Sequence, residues 1–213
     1  MQIVFLFYEG MTALDAVGPH EIPSRLPGAN VKRTAQRAGA IRTDSGLLMN
    51  AEYALSEVSH ADVLVLPGAG NATTLRDSPE TLEWVRAIHE KTHWTASVCT
   101  GSLILGTAGL LRGQKATTHW AAFDRLQAWR AEPRRERVVE SGKIITAAGV
   151  SAGIDMALTL AAKIAGPVFA QSLQLGIEYD PLPPFDAGSP EKAAPEIREA
   201  LRTRLLASFE PTE

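Results

Sequence analysis

Short apolar runs alternate along this chain with longer segments in which apolar residues recur at helical spacing. Residues 3–7 and 62–67 are almost continuously apolar, which is typical of central strands in a parallel sheet covered on both faces. Residues 95–98 form a third short buried run. The alternation of such runs with helical segments predicts a doubly wound, mostly parallel α/β sheet with helices on both faces.

Weaker patterns fill in the rest of the predicted architecture. Helices are expected over 12–25, from the cap Ser78 onward, and over 100–108, 121–130, 151–165 and 191–208. Gly18-Pro19 must kink or interrupt the first helix, and Ser151 can cap the one over 151–165. Further strands or hairpins are expected over 31–36, 41–50, 115–119 and 137–150. The hairpin over 41–50 is a small β addition to the main sheet. We expect a single domain over residues 1–213, because the sequence contains no internal repeat and no sign of a second domain.

Composition narrows the classes of function. The formal net charge of −3 gives no electrostatic reason to expect nucleic acid or an anionic membrane as partner. The apolar N-terminal run lacks a basic flank and a cleavage site, and no stretch approaches the length of a membrane-spanning helix. A single cysteine excludes an internal disulfide and fits a reducing compartment, so we expect a cytoplasmic protein.

That single cysteine, Cys99, lies between the buried run over 95–98 and the helical segment that follows it. At a sharp strand-to-helix turn, the unpaired N–H groups of the helix N-terminus favour the thiolate, which is the nucleophilic form of cysteine. An inert buried thiol is the alternative, because free cysteine is among the most buried residue types. The turn by itself leaves both interpretations open.

Other candidate residues follow neighbouring strands, and the carboxyl ends of the strands are where open α/β sheets place their sites. Asp15 lies in an apolar stretch and is either a structural residue at a helix start or a partly buried carboxyl group with a raised pKa. Gly68 and Gly70 lack a Cβ, so their backbone can approach a ligand, although they can also be plain turn residues. The N–H groups of Gly70 and Thr100 would make an oxyanion-hole-like pair beside Cys99.

The histidines and the proline-rich segment 180–190 are weaker indications of where the site lies. His119 precedes Trp120 after a predicted strand, which favours a structural role over a chemical one. His20 follows Gly18-Pro19 and is a second candidate to face the site. The segment 180–190 is too irregular for a core element, so we expect it to cross the surface or form the rim of a pocket.

Several motifs together resemble the ThiJ/PfpI superfamily, a flavodoxin-like group with a cysteine at a nucleophile elbow. They lie at 97–102, 108–113 and 116–120, with further matches at 67–70, 148–155 and Asp15, and together they cover nearly the whole chain. The resemblance implies a flavodoxin-like fold and a homodimer. Superfamily members described as peptidases carry histidine directly after the cysteine, whereas this chain has Thr100, so peptidase activity is disfavoured.

Within that superfamily, the closing segment 177–190 and the aspartate at position 15 resemble the isonitrile hydratases. This resemblance implies hydration of a small-molecule isonitrile to an N-substituted formamide, with no metal or organic cofactor. Cys99 would attack the isonitrile carbon to form a thioimidate, and Asp15 would donate the proton. Thr100 would contribute its N–H group, and Gly68 and Gly70 would approach the substrate.

Two other functions remain open from the sequence. One is glyoxalase-like or deglycase-like activity on reactive aldehydes, although such relatives usually carry glutamate rather than aspartate near the cysteine. The other is a non-enzymatic redox sensor, because an accessible cysteine of low pKa oxidises readily.

Overall fold

The computed structural model describes residues 1–70 and 78–209, and within them a seven-stranded sheet forms the centre of the fold. The strands are β1 (Gln2–Leu6), β2 (Asn30–Ala35), β3 (Gly39–Arg42), β4 (Leu48–Ala51), β5 (Tyr53–Ala54), β6 (Val63–Leu66), β7 (Trp94–Val98), β8 (Lys115–Ala116), β9 (Glu132–Pro133), β10 (Val138–Ser141) and β11 (Ile144–Ala147). The central sheet has the order β10-β11-β7-β6-β1-β2-β5. Every pairing in it is parallel except that of β10 with β11, so the predicted mostly parallel sheet is confirmed.

The two most apolar strands lie side by side in the middle of this sheet. Strand β1 pairs with β6 in a register that sets Ile3 opposite Val63 and Phe5 opposite Val65. All four of these side chains are buried. Because the strands are covered on both faces, their residues are apolar without the alternation that a half-exposed strand would show.

Helices form two layers around the sheet. They are α1 (Ala13–His20), α2 (Pro79–Lys91), α3 (Gly101–Thr107), α4 (Ala152–Ala165), α5 (Pro167–Gly176) and α6 (Pro195–Phe209). Helix α4 packs against α1, α5, β7 and β11, whereas α3 packs against α2, β6 and β7. The predicted arrangement of helices on both faces is therefore confirmed.

Both predicted hairpins are present. Strands β3 and β4 pair antiparallel outside the central sheet, with Gly46 in the turn at φ +88°. Strands β10 and β11 form the second hairpin, which turns at Gly142 with φ +59°. Glycine is favoured at both turns because these φ angles strain an L side chain.

Two helical predictions were wrong in detail, and one helix was not predicted. The first helix ends at His20, with Pro19 in its last turn, and a short 3₁₀ turn over Pro23–Arg25 follows it. The segment Trp120–Trp129 is a 3₁₀ helix rather than an α-helix. Helix α5 was not predicted because it is apolar on more than one side: Ala170 and Leu173 are buried while Val168 and Leu175 are exposed, so the pattern has no clear period.

Ser78 and Ser151 are the N-cap residues of α2 and α4, as predicted, but neither side chain accepts a capping hydrogen bond. The Ser78 hydroxyl donates to Oγ1 of Thr81 rather than accepting from a backbone N–H of α2. The Ser151 hydroxyl accepts from the guanidinium of Arg137, and α4 has no side-chain cap.

Of the helices in the described part of the chain, none combines the length and apolarity that crossing a membrane requires.

Candidate active site

Cys99 occupies a strained turn between β7 and α3. Its φ is +57°, a left-handed conformation that costs an L residue roughly 1–2 kcal/mol. Neighbouring groups hold it there: its N–H donates to the carbonyl oxygen of Ala148 at 2.8 Å, and its own carbonyl oxygen accepts from the Thr118 hydroxyl at 3.0 Å. Strain that the surroundings maintain in this way is typical of functional sites.

The electrostatic surroundings of the Cys99 sulfur differ from the expectation based on the helix N-terminus. Burial raises the pKa of the Cys99 thiol well above its usual range, and the nearby carboxyl of Asp15 raises it further. The N–H groups of Thr100 and Val150 donate to the sulfur and act in the opposite direction, but burial outweighs them. The resting form at neutral pH is therefore the thiol, not the thiolate.

Asp15 is completely buried in the first turn of α1. Its Oδ2 accepts a hydrogen bond from the N–H of Gly68 at 2.9 Å, while Oδ1 has no hydrogen-bond partner among the described residues. Burial raises the pKa of this carboxyl to about 7, against the opposing effects of the Gly68 N–H and the Cys99 thiol. This environment supports the second of the two interpretations, a buried carboxyl group with a raised pKa.

Gly68 lies where the three parts of the site meet. A Cβ at this position would lie 2.6 Å from the backbone nitrogen of Thr100 and 2.9 Å from Oδ2 of Asp15. No side chain fits there without displacing one of them, which explains the glycine. Its N–H is bonded to Asp15, so Gly68 orients the carboxyl group instead of pointing an N–H group at a substrate.

Thr100 connects the cysteine turn to the loop after β6. Its hydroxyl accepts from the N–H of Ala69 and donates to the carbonyl oxygen of the same residue, both at 2.8 Å. Gly70 follows, with Oδ2 of Asp44 3.8 Å from the place where a side chain would begin. The N–H of Thr100 donates to the Cys99 sulfur together with the N–H of Val150. The oxyanion-hole-like pair of Gly70 and Thr100 stays a prediction.

Two residues of the site were missed by the sequence reasoning. Val150 supplies the second N–H group at the Cys99 sulfur. The Tyr8 hydroxyl donates to the carbonyl oxygen of Pro67 at 2.8 Å, and burial together with the charges of Asp15 and Cys99 raises the pKa of Tyr8. Both residues follow the carboxyl end of a central strand, so the rule that predicted Asp15 could also have found them.

A cavity of about 430 Å³ lies beside this buried group of residues. Its lining includes Leu14, which precedes Asp15, as well as Thr118 and Val150, which contact Cys99. The irregular segment after α5 contributes the part of the lining over 188–191, in agreement with its predicted place at a pocket rim.

The histidines occupy different places. His119 lines the cavity, and its Nδ1 accepts from the N–H of Ala121 at the start of the 3₁₀ helix, which is the structural role expected of it. His20 lies 3.0 Å from the guanidinium of Arg33 and against the ring of Phe5, and it is not part of the cavity lining.

In the described part of the chain, no group of three or more His, Cys, Asp or Glu side chains is arranged to hold a metal ion.

Comparison with known proteins fits this geometry. The model of the DJ-1/PfpI family matches residues 1–163. The chain belongs to this family. Isonitrile hydratase of Pseudomonas putida is 38% identical to it over 98% of this chain and 92% of that protein. A ThiJ/PfpI family protein from Pseudomonas syringae, whose crystal structure is known, has a TM-score of 0.94 at 38% identity and covers 98% of this chain and 86% of its own. A deglycase of Thermococcus kodakarensis is 28% identical over 68% of this chain and 89% of its own length.

Proposed function

We propose that this DJ-1/PfpI family member is an isonitrile hydratase, a lyase that adds water to an isonitrile to form an N-substituted formamide. The observation that carries the proposal is the buried Cys99 thiol next to an Asp15 carboxyl whose pKa is raised to about 7. Such a pair can hold one proton and transfer it near neutral pH. The similarity to the Pseudomonas putida isonitrile hydratase supports the same reaction.

The first step joins the thiol to the isonitrile carbon. The Asp15 carboxylate takes the proton from Cys99 as the sulfur attacks, and the N–H groups of Thr100 and Val150 stabilise the negative charge that develops on the sulfur. Asp15 then gives the proton to the same carbon. A C–S bond and a C–H bond have formed, and the carbon–nitrogen triple bond has become the double bond of a thioimidate.

The second step uses water. Asp15, again a carboxylate, accepts a proton from the water as its oxygen adds to the thioimidate carbon, and then gives this proton to the nitrogen. Collapse of this tetrahedral intermediate forms the carbonyl group, breaks the C–S bond and returns the electron pair to the sulfur. The hydroxyl proton of the intermediate passes through Asp15 to the sulfur, and the formamide leaves.

The experiment that tests this function follows the formyl proton of the product by NMR after the protein is mixed with methyl isonitrile or phenyl isonitrile. We expect turnover that is lost in Cys99→Ala. We also expect intact-mass detection of a thioimidate adduct on the wild-type protein, at the mass of thiol plus isonitrile. No turnover with either isonitrile, together with activity on methylglyoxal, would instead identify the deglycase-like function that one relative suggests.

The redox-sensor alternative is disfavoured by the environment of Cys99. Oxidation proceeds through the thiolate, and Cys99 is only 5% exposed with a thiol pKa raised by burial. We expect slow modification of Cys99 by hydrogen peroxide at pH 7 in comparison with free cysteine, as measured by intact mass.

We also infer a cytoplasmic homodimer. Leu14 and Val17 are 45% and 40% exposed and lie three residues apart on one face of α1, so they form a small exposed apolar surface. Self-association through this face of α1 would cover them and leave the cavity entrance close to the partner.

A further inference from the structure

The peptide group between Pro67 and Gly68 is held by a hydrogen bond at each end. Its N–H donates to Oδ2 of Asp15 at 2.9 Å, and its carbonyl oxygen accepts from the hydroxyl of Tyr8 at 2.8 Å. The peptide bond is trans, so its N–H and C=O groups point in opposite directions. Tyr8 and Asp15 therefore lie at opposite ends of one amide group and are connected through it.

This peptide group is of a kind that can flip about the line joining its two Cα atoms. A glycine follows it, and glycine allows both orientations of the preceding peptide plane, as in type I and type II turns. In the flipped orientation, the carbonyl oxygen of Pro67 would face the Asp15 carboxyl in place of the Gly68 N–H. Two oxygen atoms in contact repel each other, so the orientation of this peptide decides whether the carboxylate form of Asp15 is stabilised.

Tyr8 supplies a contact that opposes such a flip. It lies just after strand β1 and is 7% exposed. Burial and the charge of Asp15 raise the pKa of its phenol, so the hydroxyl is protonated at neutral pH and can donate. The carbonyl group that it binds is enclosed, because a Cβ at Gly101 would lie 2.9 Å from the Pro67 oxygen. Loss of the Tyr8 hydroxyl would therefore leave a buried carbonyl group without this donor.

The two hydrogen bonds also strengthen each other. A donor at the carbonyl oxygen of an amide draws electrons toward that oxygen and makes the N–H of the same amide more positive, so hydrogen bonds in a chain are cooperative. The N–H of Gly68 lowers the pKa of Asp15, against the larger effect of burial. The Tyr8 hydroxyl, acting through the same amide, strengthens this opposing effect.

We propose that Tyr8 is a positioning residue for Asp15: its hydroxyl holds the Pro67–Gly68 peptide in one orientation and polarises the N–H that this peptide presents to the carboxyl. Tyr8 is not among the residues that line the cavity, so it acts through Asp15 and not on the substrate. Its part in catalysis rests on the proposed function, in which Asp15 carries the proton. Its effect on Asp15 itself requires no substrate.

Other ionisable groups act on Asp15 from neighbouring elements. The Cys99 thiol, in the turn before α3, lowers the pKa of the carboxyl, and Asp44, in the turn of the hairpin β3–β4, raises it. The charged side chains on the elements that pack against α1 are not among the groups that shift this pKa; they are Asp155 and Lys163 on α4 and Arg25 on the 3₁₀ turn. Replacing Tyr8 with phenylalanine leaves all of these groups in place.

The test measures the titration of Asp15 directly, from the carboxyl carbon signals of the full-length protein labelled with ¹³C at aspartate. The Asp15 signal is assigned by its absence in Asp15→Asn. In Tyr8→Phe we expect the midpoint to rise by roughly 0.3–0.6 pH units, because a weaker Gly68 N–H stabilises the carboxylate less. Tyr53→Phe is the matched control, because it removes the same hydroxyl from the edge strand β5 and should keep the wild-type midpoint.

A second protein tests the same connection without removing a hydrogen bond, in case Tyr8→Phe folds poorly. With 3-fluorotyrosine in place of tyrosine, the hydroxyl of Tyr8 remains and becomes a stronger donor, because fluorine withdraws electrons from the phenol. The Asp15 midpoint should then fall below the wild-type value, opposite to the effect of Tyr8→Phe. Tyr8→Phe made with 3-fluorotyrosine is the control, since fluorine is then present only at Tyr53 and Tyr179, and it should show no fall relative to ordinary Tyr8→Phe.

The catalytic consequence is measured with methyl isonitrile. Tyr8→Phe should lower kcat at pH 7 by about threefold to tenfold and change KM by less than about twofold. The reason is that a misplaced proton carrier slows the chemical step, whereas the cavity that binds the substrate is unchanged.

The outcomes separate the positioning role from the proposed function. Titration shifts of opposite sign in Tyr8→Phe and in the fluorinated protein support the role of Tyr8, whether or not an isonitrile is turned over. An Asp15 midpoint that neither protein moves, or that both move in the same direction, would overturn this role and leave the hydratase reaction intact. Failure of the wild-type protein to turn over isonitriles would overturn the hydratase reaction alone.

Discussion

The N–H of Gly68 donates a hydrogen bond to Oδ2 of Asp15 at 2.9 Å, across 53 residues of sequence. The bond fixes one carboxyl oxygen and leaves Oδ1 without a hydrogen-bond partner among the described residues. Oδ1 is thus the oxygen that can carry the proton. The absence of a side chain at residue 68 is what allows Asp15, Thr100 and the loop after β6 to meet.

Gly68→Ala should damage both stability and activity, because the added Cβ would lie 2.6 Å from the Thr100 nitrogen and 2.9 Å from Asp15 Oδ2. We expect the free energy of unfolding to fall by about 1–3 kcal/mol and kcat/KM to fall at least about tenfold. Urea unfolding and the formamide assay measure the two effects. Gly176→Ala is the control, since nothing lies within 4 Å of a Cβ there and its φ is not positive. Equal behaviour of the two variants would contradict the close packing described at Gly68.

Asp15→Asn should reduce kcat by about 10²- to 10⁴-fold, because the amide keeps the shape of the carboxyl but cannot shuttle a proton. The fold should remain, since the amide oxygen can still accept from the Gly68 N–H. Single-turnover kinetics with methyl isonitrile, together with the far-ultraviolet circular dichroism spectrum, check both statements. Asp124→Asn, at an exposed carboxylate 3.7 Å from Arg202, is the matched control. Full activity of Asp15→Asn would remove Asp15 from the mechanism.

The activity should depend on pH through the carboxyl of Asp15. Below about pH 7 this carboxyl is protonated and cannot accept the proton of the Cys99 thiol. We therefore expect kcat/KM to rise with pH to a plateau, with a midpoint near 7. The residual activity of Asp15→Asn should lack this rise. A wild-type rate that falls as the pH passes through 7 would mean that the protonated acid is the active form.

Stability should depend on the same group, in the opposite direction. The pKa of Asp15 is about 7 in the folded protein and about 3.9 in an unfolded chain, so between these values the folded state binds more protons than the unfolded state. The contribution of Asp15 to the free energy of unfolding is thus present below about pH 4 and is lost as the pH rises to 7, by an amount on the order of 1–4 kcal/mol. Subtracting the profile of Asp15→Asn from that of the wild type isolates this contribution. A difference that does not change with pH would show that Asp15 has an ordinary pKa in the folded state.

Replacing Cys99 should reveal the strain of its backbone. At φ +57° glycine is favoured over any L residue, so Cys99→Gly should be more stable than Cys99→Ala by about 1 kcal/mol. The same pair of substitutions at Ser97, inside strand β7, should give the reverse order, because alanine is favoured over glycine in an extended strand. Thermal unfolding of the four variants measures both differences. Identical stabilities of the two Cys99 variants would argue against a strained turn.

Much of the fold was predictable because its signals are local. The apolar runs of β1, β6 and β7 predicted buried parallel strands, and short turn motifs predicted both hairpins. Helix α5 and the 3₁₀ form of Trp120–Trp129 were not predictable in this way, because packing against neighbours decides them and the periodicity of their own residues does not.

For the candidate site, the sequence by itself determined which residues follow the strand ends, and so brought Cys99, Asp15, Thr100, Gly68 and Gly70 forward together. It could not determine their protonation. A helix N-terminus favours a thiolate, yet the structure buries Cys99 next to a buried carboxyl, and desolvation of both groups outweighs the local N–H groups. The loss of water around a side chain depends on the whole chain that surrounds it, which is why only the tertiary structure decided that this site holds a thiol beside an acid with a pKa of about 7.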